Sequence, residues 1–516
     1  MELATSGMIP LIDRYAEEEL NIPTAELMGR SGAAVAAAIR ELAPKNKPVI
    51  ILAGRGNNGG DGYAAAVNIF GEYEVTVCDV FSAGQKSDAG RYFMQKYLVL
   101  GGKKLNFQPS DEMLRQIGNA GCIVDAIFGT GFKGEMPDIL KPLAAAVNEA
   151  VGALKIAVDV PLGIDADSGR VSDFAIFADA TVELSFIKPG IISYPARSYV
   201  GRLIYDDLGI PREIITDRFD FKYHMIDGEW IRRNMKKREE NSNKGSFGRV
   251  LMITGSKKYR GAAHLTLEAA LRGGAGLVSF LGASELTGEL IQKYPEAIYK
   301  KTGDAAEMTP EKAAEISEHS ASYTVTLVGS GSDNTKGLLS LVLTLLSAKG
   351  GALVLDADAL NALADAGEMG RRAIKEACRE VVITPHPLEF ARLLGVSVAE
   401  VQERRLDLAM SFAEEHGCIV VLKGAGTVIT DGNETYINST GSSALAKAGS
   451  GDVLAGFISS FAAQSKTDLL KSVAISVYFH GLAGDALAER YSEYGVTPSD
   501  LPAEIGKLLA KAAKEL

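Results

Sequence analysis

Short apolar runs rich in β-branched residues alternate with alanine-rich segments in the first part of the chain. The runs that predict strands are VIILAG (49–54), EVTVCDV (74–80), CIVDAIFG (122–129), KIAVDVP (155–161) and TVELSF (181–186). Each run is apolar along its length, which is typical of a parallel strand buried on both faces. Segments such as YAAAVNIF (63–70) and KPLAAAVNEA (141–150) have the composition and length of crossover helices. The pattern therefore predicts an open βαβ sheet.

The alternation breaks between residues 213 and 243, where charged and polar residues are mixed and the only tryptophan occurs. Such a segment is the best candidate for a domain boundary. Beyond it, strands are predicted at RVLMITG (249–255), TVTLVG (324–329), ALVLDAD (352–358), VVITPH (381–386) and CIVVLKG (418–424). We predict an N-terminal α/β domain at 1–215, a linker at 216–235 and a second α/β domain at 236–516.

Composition and charge narrow the class of protein. The 516 residues include 54 Lys plus Arg and 65 Asp plus Glu, a formal charge of −11, with 47% hydrophobic and 23% charged residues. These values are typical of a folded globular chain and exclude a disordered one. An acidic chain offers no extended surface for tracking phosphates, so we expect no nucleic acid partner.

The four cysteines are too far apart in sequence to form a CxxC pair, and they indicate reduced thiols in a cytoplasmic protein. The first residues have neither the basic start nor the apolar stretch of a signal peptide, and no run of 18 apolar residues occurs. We expect a cytoplasmic chain with no membrane partner, and a homo-oligomer.

The first glycine-rich loop follows the strand VIILAG and allows two interpretations. Gly54, Gly56 and Gly59 match the dinucleotide pattern GxGxxG, and Asp79 lies where a ribose-binding acid would be. The alternative is a tight strand-to-helix turn. Two asparagines and an aspartate in this turn favour specific polar recognition, and their oxygens also suit a hard cation.

Three further polar residues end strands in this half: Asp125, Asp159 and Lys188. Any one strand-end Asp is equally consistent with a turn or a helix cap. Ligands of open α/β sheets bind at the carboxyl ends of strands, so these residues are expected to converge with the asparagine loop.

Four segments of this half occur in the order GRGNNGGDGYAAA, VDAIFGTGFKGE, VDVPLGIDADSG and KPG. Together they resemble the NAD(P)H-hydrate epimerase domain, across essentially residues 1–215. The resemblance implies a Rossmann-like open βαβ sheet, a potassium ion bound by Asn58 and Asp125, and contact of Asp159 with the reacting substrate. The family usually has Ser where this chain has Leu162, which can offer the ion only its backbone carbonyl. The hydrate pocket is implied to be lined by Asn57, Asn58, Gly59, Gly60, Asp61, Gly129, Thr130, Gly131, Phe132, Lys133, Gly134 and Glu135.

A second glycine-rich cluster, GSSALAKAGSGD (441–452), precedes an apolar helix. A Gly-Ser-Gly turn at a helix N-terminus favours an anion. Asp452 in that turn fits either a helix cap or a base that takes a proton from a hydroxyl attacking a phosphate. Because backbone donors favour negative charge there, we expect Asp452 to be ionised at neutral pH. No GxxxxGK[ST] stretch occurs, so a P-loop enzyme is excluded.

Two further segments of this half carry candidate chemistry. The strand CIVVL leads into KGAGT (423–427), a flexible turn able to approach a nucleotide closely. His386 lies between two prolines that fix its backbone direction, although a lone His is more often structural than functional.

AGSGDVLAG resembles the ribokinase-like superfamily. The same half also contains the segments KGSFGRVLMITGS, YRGAAHLTLEAALRGGAGLV, DADALN, TPHPLEFARLLG and KGAGT. With these segments, residues from about 236 to 516 resemble the NAD(P)H-hydrate dehydratase within that superfamily, which implies an α/β/α domain. The residues implied to hold the AMP part of the nucleotide are Lys423, Gly424, Ala425, Gly426, Thr427 and Gly451. Those implied to face the hydrate are Ala262, Gly331, His386 and Asp452.

The two resemblances imply a bifunctional enzyme that repairs hydrated nicotinamide cofactors. The first domain would interconvert the R and S hydrates of NADH and NADPH, with Asp159 as acid and base. The second would dehydrate the S form with Asp452 as base, consuming ADP and releasing AMP and phosphate, with magnesium bridging the phosphates. The rival hypotheses are a ribokinase-like small-molecule kinase fused to a ligand sensor, and a first domain that serves only as a binding or scaffolding module.

Overall fold

The computed structural model describes residues 1–81, 87–301, 308–464 and 468–515. The chain divides into an N-terminal unit, Glu2–Tyr223, and a C-terminal unit that begins at His224. The division falls inside the segment 216–235 that the sequence predicts as a linker. That segment contains a strand and a helix, and Trp230 on the helix is buried in the C-terminal core.

The N-terminal unit contains a seven-stranded parallel sheet between helices. The seven strands of this sheet are β2 (Val49–Ala53), β3 (Val75–Asp79), β4 (Lys103–Asn106), β5 (Cys122–Ala126), β6 (Leu154–Val158), β7 (Ala180–Leu184) and β8 (Arg202–Asp206), and a short strand outside it, β1 (Glu2–Leu3), precedes them in the chain. Its helices are α1 (Ile9–Glu18), α2 (Thr24–Leu42), α3 (Asn57–Asn68), α4 (Asp88–Val99), α5 (Asp111–Gly118), α6 (Lys141–Glu149), α7 (Pro189–Ile192), α8 (Arg197–Val200) and α9 (Arg212–Arg218).

The order of this sheet is β4-β3-β2-β5-β6-β7-β8, and all its pairings are parallel. Strands β2, β3, β5 and β7 are buried along their whole length because helices cover both faces, which explains their continuous apolar runs. The strand order reverses between β2 and β5. In doubly wound sheets this switch point leaves a crevice at the carboxyl ends of the two strands. The predicted open βαβ sheet is confirmed.

The C-terminal unit is a second α/β structure. Its strands are β9 (Tyr223–Ile226), β10 (Arg249–Ile253), β11 (Leu277–Gly282), β12 (Ile298–Lys301), β13 (Val325–Val328), β14 (Ala352–Leu355), β15 (Val381–Ile383), β16 (Ile419–Leu422), β17 (Val428–Thr430) and β18 (Thr435–Asn438). Its helices are α10 (Gly228–Asn234), α11 (Arg260–Arg272), α12 (Ser284–Lys293), α13 (Pro310–Ser320), α14 (Lys336–Ser347), α15 (Asp358–Asp365), α16 (Glu368–Lys375), α17 (Pro387–Leu394), α18 (Val398–Glu403), α19 (Arg405–His416), α20 (Ser450–Gln464), α21 (Leu469–Gly495) and α22 (Leu501–Glu515).

Strands β12-β11-β10-β13-β14-β15-β16 form a parallel sheet in that order, and β17 and β18 extend it antiparallel from β16. The α/β class predicted for this half is confirmed. The hairpin of β17 and β18 was not predicted. Its strands are three and four residues long, too short for a clear periodic signal. None of the helices in the described part of the chain combines the length and apolar character needed to cross a bilayer.

Candidate active sites

A cavity of about 340 Å³ opens at the carboxyl ends of the N-terminal strands. Seven of the residues predicted for the hydrate pocket line it: Asn57, Asn58, Asp61, Gly129, Thr130, Gly131 and Asp159. They come from the turn after β2, the turn after β5 and the end of β6, so the chain brings the predicted strand ends together at the switch point. The cavity is also lined by Asp13 of α1 and by Lys188.

Two glycines allow these turns to approach each other. A Cβ atom at Gly54 would lie 1.8 Å from the carbonyl oxygen of Ile127, so the turns after β2 and β5 touch through backbone. A Cβ at Gly129 would lie 2.5 Å from Oδ2 of Asp159. Glycine at 129 therefore leaves the carboxylate of Asp159 accessible from the cavity.

Asn58, on the first turn of α3, is buried, and neither its Oδ1 nor its Nδ2 has a hydrogen-bond partner. A buried amide group without partners costs free energy, so such a side chain indicates a site for a bound ligand or ion. Its oxygen is available for a hard cation. Asn58 thus fits the potassium site that the sequence predicts.

The other predicted potassium ligands lie close to each other. Asp125 is buried at the end of β5, and its carboxylate accepts hydrogen bonds from the backbone N–H of Leu162 at 2.7 Å and of Ile127 at 3.2 Å. Burial raises the pKa of Asp125 to about 7, although both hydrogen bonds act in the opposite direction. The carbonyl of Leu162 accepts a hydrogen bond from Ile176 at 2.9 Å and keeps a second lone pair. A cation beside Asp125 would favour its ionised form.

Asp159 is held by a buried lysine. It has a left-handed backbone (φ 67°), and its Oδ1 accepts a hydrogen bond from Nζ of Lys188. The same ammonium donates to Oε2 of Glu183 and to the carbonyl of Leu184, both at 3.0 Å, which uses its three N–H groups. Although burial opposes the charge, Asp159 and Glu183 raise the pKa of Lys188 above its ordinary value. Lys188 is thereby kept charged beside Asp159.

Two more carboxyl groups of the cavity have raised pKa values. Burial raises the pKa of Asp13 to about 6, with Lys188 acting against the shift and Asp159 adding to it. Burial, and then Asp159 and Asp13, raise the pKa of Asp61 well above its usual range. Asp61 is therefore a protonated carboxyl group of the cavity at neutral pH, whereas Asp13 is mostly ionised there.

Some predicted pocket residues lie outside this lining. Gly59 and Gly60 are buried in α3, Phe132 packs into the core, and Gly134 and Glu135 are exposed. Lys133 is exposed and pairs with Asp167 at 2.9 Å. Sequence reasoning missed Asp13, which no glycine-rich motif accompanies, and Glu183, which is hidden inside an apolar strand. Lys188 was recognised as a strand-end residue, but no role was assigned to it.

A second cavity, of about 290 Å³, lies in the C-terminal unit. It is lined by the predicted residues His386, Lys423, Gly451 and Asp452, together with Asp356, Ala357, Glu389, Leu445, Lys447, Ala448, Gly449 and Ser450. The strand ends of β14, β15 and β16 supply one side, and the first turn of α20 supplies the other.

Lys423, directly after β16, is the centre of a charged network in this cavity. Its Nζ lies 2.9 Å from Oδ1 of Asp356 and 3.9 Å from Oε2 of Glu389. Asp356 also accepts hydrogen bonds from the hydroxyls of Ser330 at 2.8 Å and Thr384 at 2.7 Å. A Cβ at Gly451 would lie 3.4 Å from Nζ of Lys423. The ammonium thus faces the turn that begins α20.

His386 caps the helix that follows β15. Its Nδ1 accepts hydrogen bonds from the backbone N–H groups of Leu388 and Glu389, both at 3.2 Å. Its Nε2 lies 3.1 Å from Oε1 of Glu389, and the ring is about half exposed. His386 therefore has a structural role at this helix and also lines the cavity.

Asp452 lies in the first turn of α20 and faces other carboxyl groups. Burial raises its pKa to about 7; Asp356, Asp358 and Glu389 add to the shift, and Lys423 opposes it. The prediction that Asp452 stays ionised at neutral pH is therefore wrong, since a pKa of about 7 leaves about half of the molecules protonated there. The helix N-terminus does favour the anion, but desolvation and three neighbouring acids outweigh it.

The other predicted residues of this half are described by the structure but do not line the second cavity. Gly424 and Ala425 are exposed, Gly426 is half-buried, and Thr427 donates its hydroxyl to the carbonyl of Gly424 at 2.9 Å. Ala262 and Gly331 contact each other, since a Cβ at Gly331 would lie 2.6 Å from that of Ala262. Sequence reasoning missed Asp356 and Glu389, although DADALN and TPHPLEF contain them.

Comparison with known families divides the chain in the same way. The family described as YjeF-related protein N-terminus matches residues 24–190, and the family described as NAD(P)H-hydrate dehydratase matches residues 250–507. The bifunctional NAD(P)H-hydrate repair enzyme Nnr of Moorella thermoacetica is 35% identical over 97% of this chain and 95% of its own. Its Escherichia coli counterpart is 32% identical over 95% and 90%. A crystal structure of the ADP/ATP-dependent NAD(P)H-hydrate dehydratase from Bacillus subtilis is 28% identical and covers 56% of this chain and 98% of its own, with a TM-score of 0.49.

Proposed function

The chain belongs to the family of bifunctional NAD(P)H-hydrate repair enzymes, and we propose that its N-terminal unit epimerises the hydrates and its C-terminal unit dehydrates them. The observation that carries this proposal is that each unit has its own cavity lined by its own half-buried aspartate, Asp159 or Asp452.

In the epimerase, we assign Asp159 as the group that exchanges a proton with the hydroxyl of the substrate. The hydroxyl-bearing carbon is attached to the ring nitrogen, whose lone pair can stabilise a positive centre while the hydroxyl leaves as water. Water then returns to the opposite face. Lys188 orients Asp159, and Asp61, whose pKa is raised well above its usual range, is a protonated neighbour able to donate to the leaving oxygen.

The remaining polar groups of the N-terminal site support binding. We propose that Asn57, Asn58, Asp61 and the turn at Gly129 to Gly131 hold the hydrated ring and its substituents. Potassium would be held by Asn58 Oδ1, Asp125 and the carbonyl of Leu162. The partnerless amide of Asn58 and the burial of Asp125 are the observations in favour of it.

In the dehydratase, we assign Asp452 as the base that removes the proton of the substrate hydroxyl. The resulting oxygen attacks the terminal phosphorus of the nucleotide, and the bond between that phosphorus and the bridging oxygen breaks. Loss of a proton from the neighbouring carbon then expels phosphate and restores the ring double bond. With ADP as donor, the products are AMP, phosphate and the reduced nicotinamide.

The second cavity has suitable groups for the phosphates. Amide groups in the first turn of a helix lack carbonyl partners within the helix, and those of α20 surround Gly451 beside the ammonium of Lys423. We propose that the transferred phosphate binds there and that the rest of the nucleotide binds the Lys423–Thr427 turn. Ala262, Gly331 and His386 would border the hydrate.

Magnesium is proposed with the nucleotide. The described residues contain no cluster of three His, Cys, Asp or Glu side chains that could hold a metal ion. Phosphate oxygens would therefore supply most ligands of the ion, with one or two cavity carboxylates such as Asp356 or Glu389, which is usual for Mg²⁺. The ion would neutralise charge on the phosphates.

An assay of mixed R and S hydrates tests both assignments on the full chain. We expect Asp159→Asn to lose epimerisation and keep dehydration, and Asp452→Asn to do the reverse. We also expect faster turnover with ADP than with ATP. A stable phosphorylated product, with no return of reduced-nicotinamide absorbance, would instead support the kinase hypothesis. Homo-oligomerisation and a cytoplasmic location stay predictions.

A further inference from the structure

Arg405, the first residue of α19, carries a buried charge without a counter-charge. Its side chain is 2% exposed, and its hydrogen bonds go to neutral oxygens: Oε1 of Gln402 at 3.1 Å and the carbonyls of Leu422 and Lys423 at 3.0 and 3.3 Å. Its Nε has no partner. In the described part of the chain no carboxylate forms an ion pair with it, whereas the preceding Arg404 pairs with Glu400 at 2.9 Å.

This arrangement is costly for the protein alone. Removing a guanidinium from water without an opposite charge is unfavourable, and burial lowers the pKa of Arg405 to about 10. The positive end of the α19 dipole lies at the same residue and adds to the cost. Arg379, the other buried arginine bonded to carbonyls, differs because it donates to Ala348 and Lys349 at the C-terminus of α14, where the dipole is negative.

The guanidinium lies directly behind the turn proposed to bind the nucleotide. A Cβ at Gly424 would be 3.2 Å from both Nη1 and Nη2 of Arg405, and Gly424 has φ 138°, which favours glycine. Gly424 itself is exposed on the opposite side. One layer of backbone therefore separates the buried charge from the outer face of the turn.

We propose that Arg405 is a positioning residue of the nucleotide site: it fixes the Lys423–Thr427 turn from behind, and its uncompensated charge attracts the anionic part of a nucleoside diphosphate on the exposed face. This inference depends on the proposed dehydratase function. An anionic ligand would supply the counter-charge that the protein lacks, so Arg405 contributes to affinity in proportion to the charge of the ligand.

Calorimetric binding of ADP and of uncharged adenosine to the full chain tests the inference. We expect Arg405→Gln to weaken ADP binding by on the order of tenfold and adenosine binding much less, because only the charged ligand interacts with the lost charge. Arg405→Lys should keep most of the ADP affinity. The matched control is Arg404→Gln, which removes a half-buried arginine one position away that is paired with Glu400, and it should change neither affinity.

The outcomes separate the possible failures. Equal weakening of ADP and adenosine by Arg405→Gln would mean that Arg405 only supports the turn, and unchanged ADP binding would also overturn the inference. If the wild-type chain does not bind ADP, it is the proposed function that fails.

If the Arg405→Gln variant does not fold, the Arg405→Lys variant provides a second test. A buried lysine loses its charge at lower pH than arginine, so the ADP affinity of Arg405→Lys must fall relative to wild type between pH 7 and 9.5. The ratio of the adenosine affinities of Arg405→Lys and wild type should stay constant over the same pH range. Parallel behaviour of both proteins toward ADP over this range would contradict the inference.

Discussion

The rate of dehydration should rise with pH through neutrality, because only ionised Asp452 can accept the proton of the substrate hydroxyl. With its pKa at about 7, Asp452 is ionised in about one-eleventh of molecules at pH 6 and in about ten-elevenths at pH 8. We therefore expect kcat/KM to increase about tenfold between these pH values, with its midpoint near pH 7. An aspartate with an ordinary pKa would give a flat profile over the same range.

The measurement follows the absorbance of the reduced nicotinamide formed from the S hydrate, at constant ionic strength. Hydrate and nucleotide are both kept below saturation, so that the profile reports ionisation in the free enzyme. Asp452→Asn is the control, since it keeps the size of the side chain and removes its basicity. Its rate should be lower by on the order of 10² to 10⁴ and should no longer depend on pH around neutrality.

Two results would refute this reasoning. A wild-type profile that is flat between pH 6 and 8 would show that ionisation of Asp452 does not limit the reaction. An Asp452→Asn variant within a few-fold of wild type would show that Asp452 acts only in the first turn of α20, and His386 would be the next candidate base.

Three further predictions concern the N-terminal site. Potassium should raise the melting temperature more at pH 8 than at pH 6, because it binds the ionised form of Asp125, whose raised pKa of about 7 leaves the carboxyl protonated below neutrality. Asp125→Ala should abolish this stabilisation by potassium, and a stabilisation that does not depend on pH would contradict the proposed potassium site. Lys188→Met should lower epimerisation by on the order of 10²-fold or more and leave dehydration unchanged, since Asp159 loses its ammonium partner; near-normal epimerisation would exclude the pairing as functional. Gly129→Ala should slow epimerisation because the added Cβ would displace the Asp159 carboxylate. Gly131→Ala should not slow it, since a Cβ at that position has no neighbouring atom within 4 Å, and equal rates in the two variants would refute the contact between residue 129 and Asp159.

Much of the fold was predictable because parallel strands covered on both faces produce continuous apolar runs. The convergence of Asn58, Asp159 and Lys188 on one cavity was also predictable, since strands of one direction end at one edge of a sheet. What the sequence could not supply was the partner of each group. The bond between Lys188 and Asp159 depends on the bend after β7, which places Lys188 directly before α7.

The charge state of Asp452 shows why such partners matter. Reasoning from the sequence considered only the adjacent helix N-terminus and predicted an ionised carboxylate. The opposing influences come from Asp356, Asp358 and Glu389, which lie 63 to 96 positions away in the chain and meet Asp452 only after folding. Local reasoning identified the residue and failed on its protonation, because a pKa reflects all charges around the group.

The same charges bear on how the nucleotide enters the second cavity. The lining combines three carboxyl groups, Asp356, Glu389 and Asp452, with the ammonium groups of Lys423 and Lys447, and Lys423 is already paired with Asp356. Lys447 donates to the carbonyls of Tyr494 and Val496, so it is oriented toward the end of α21. A diphosphate would add further negative charge beside these three carboxyl groups. In a cavity that is partly shielded from water, the repulsion between the phosphates and the carboxylates has to be offset. A divalent cation that entered with the phosphates would meet this need, and it would also lower the pKa of Asp452 toward the ionised form required of a base.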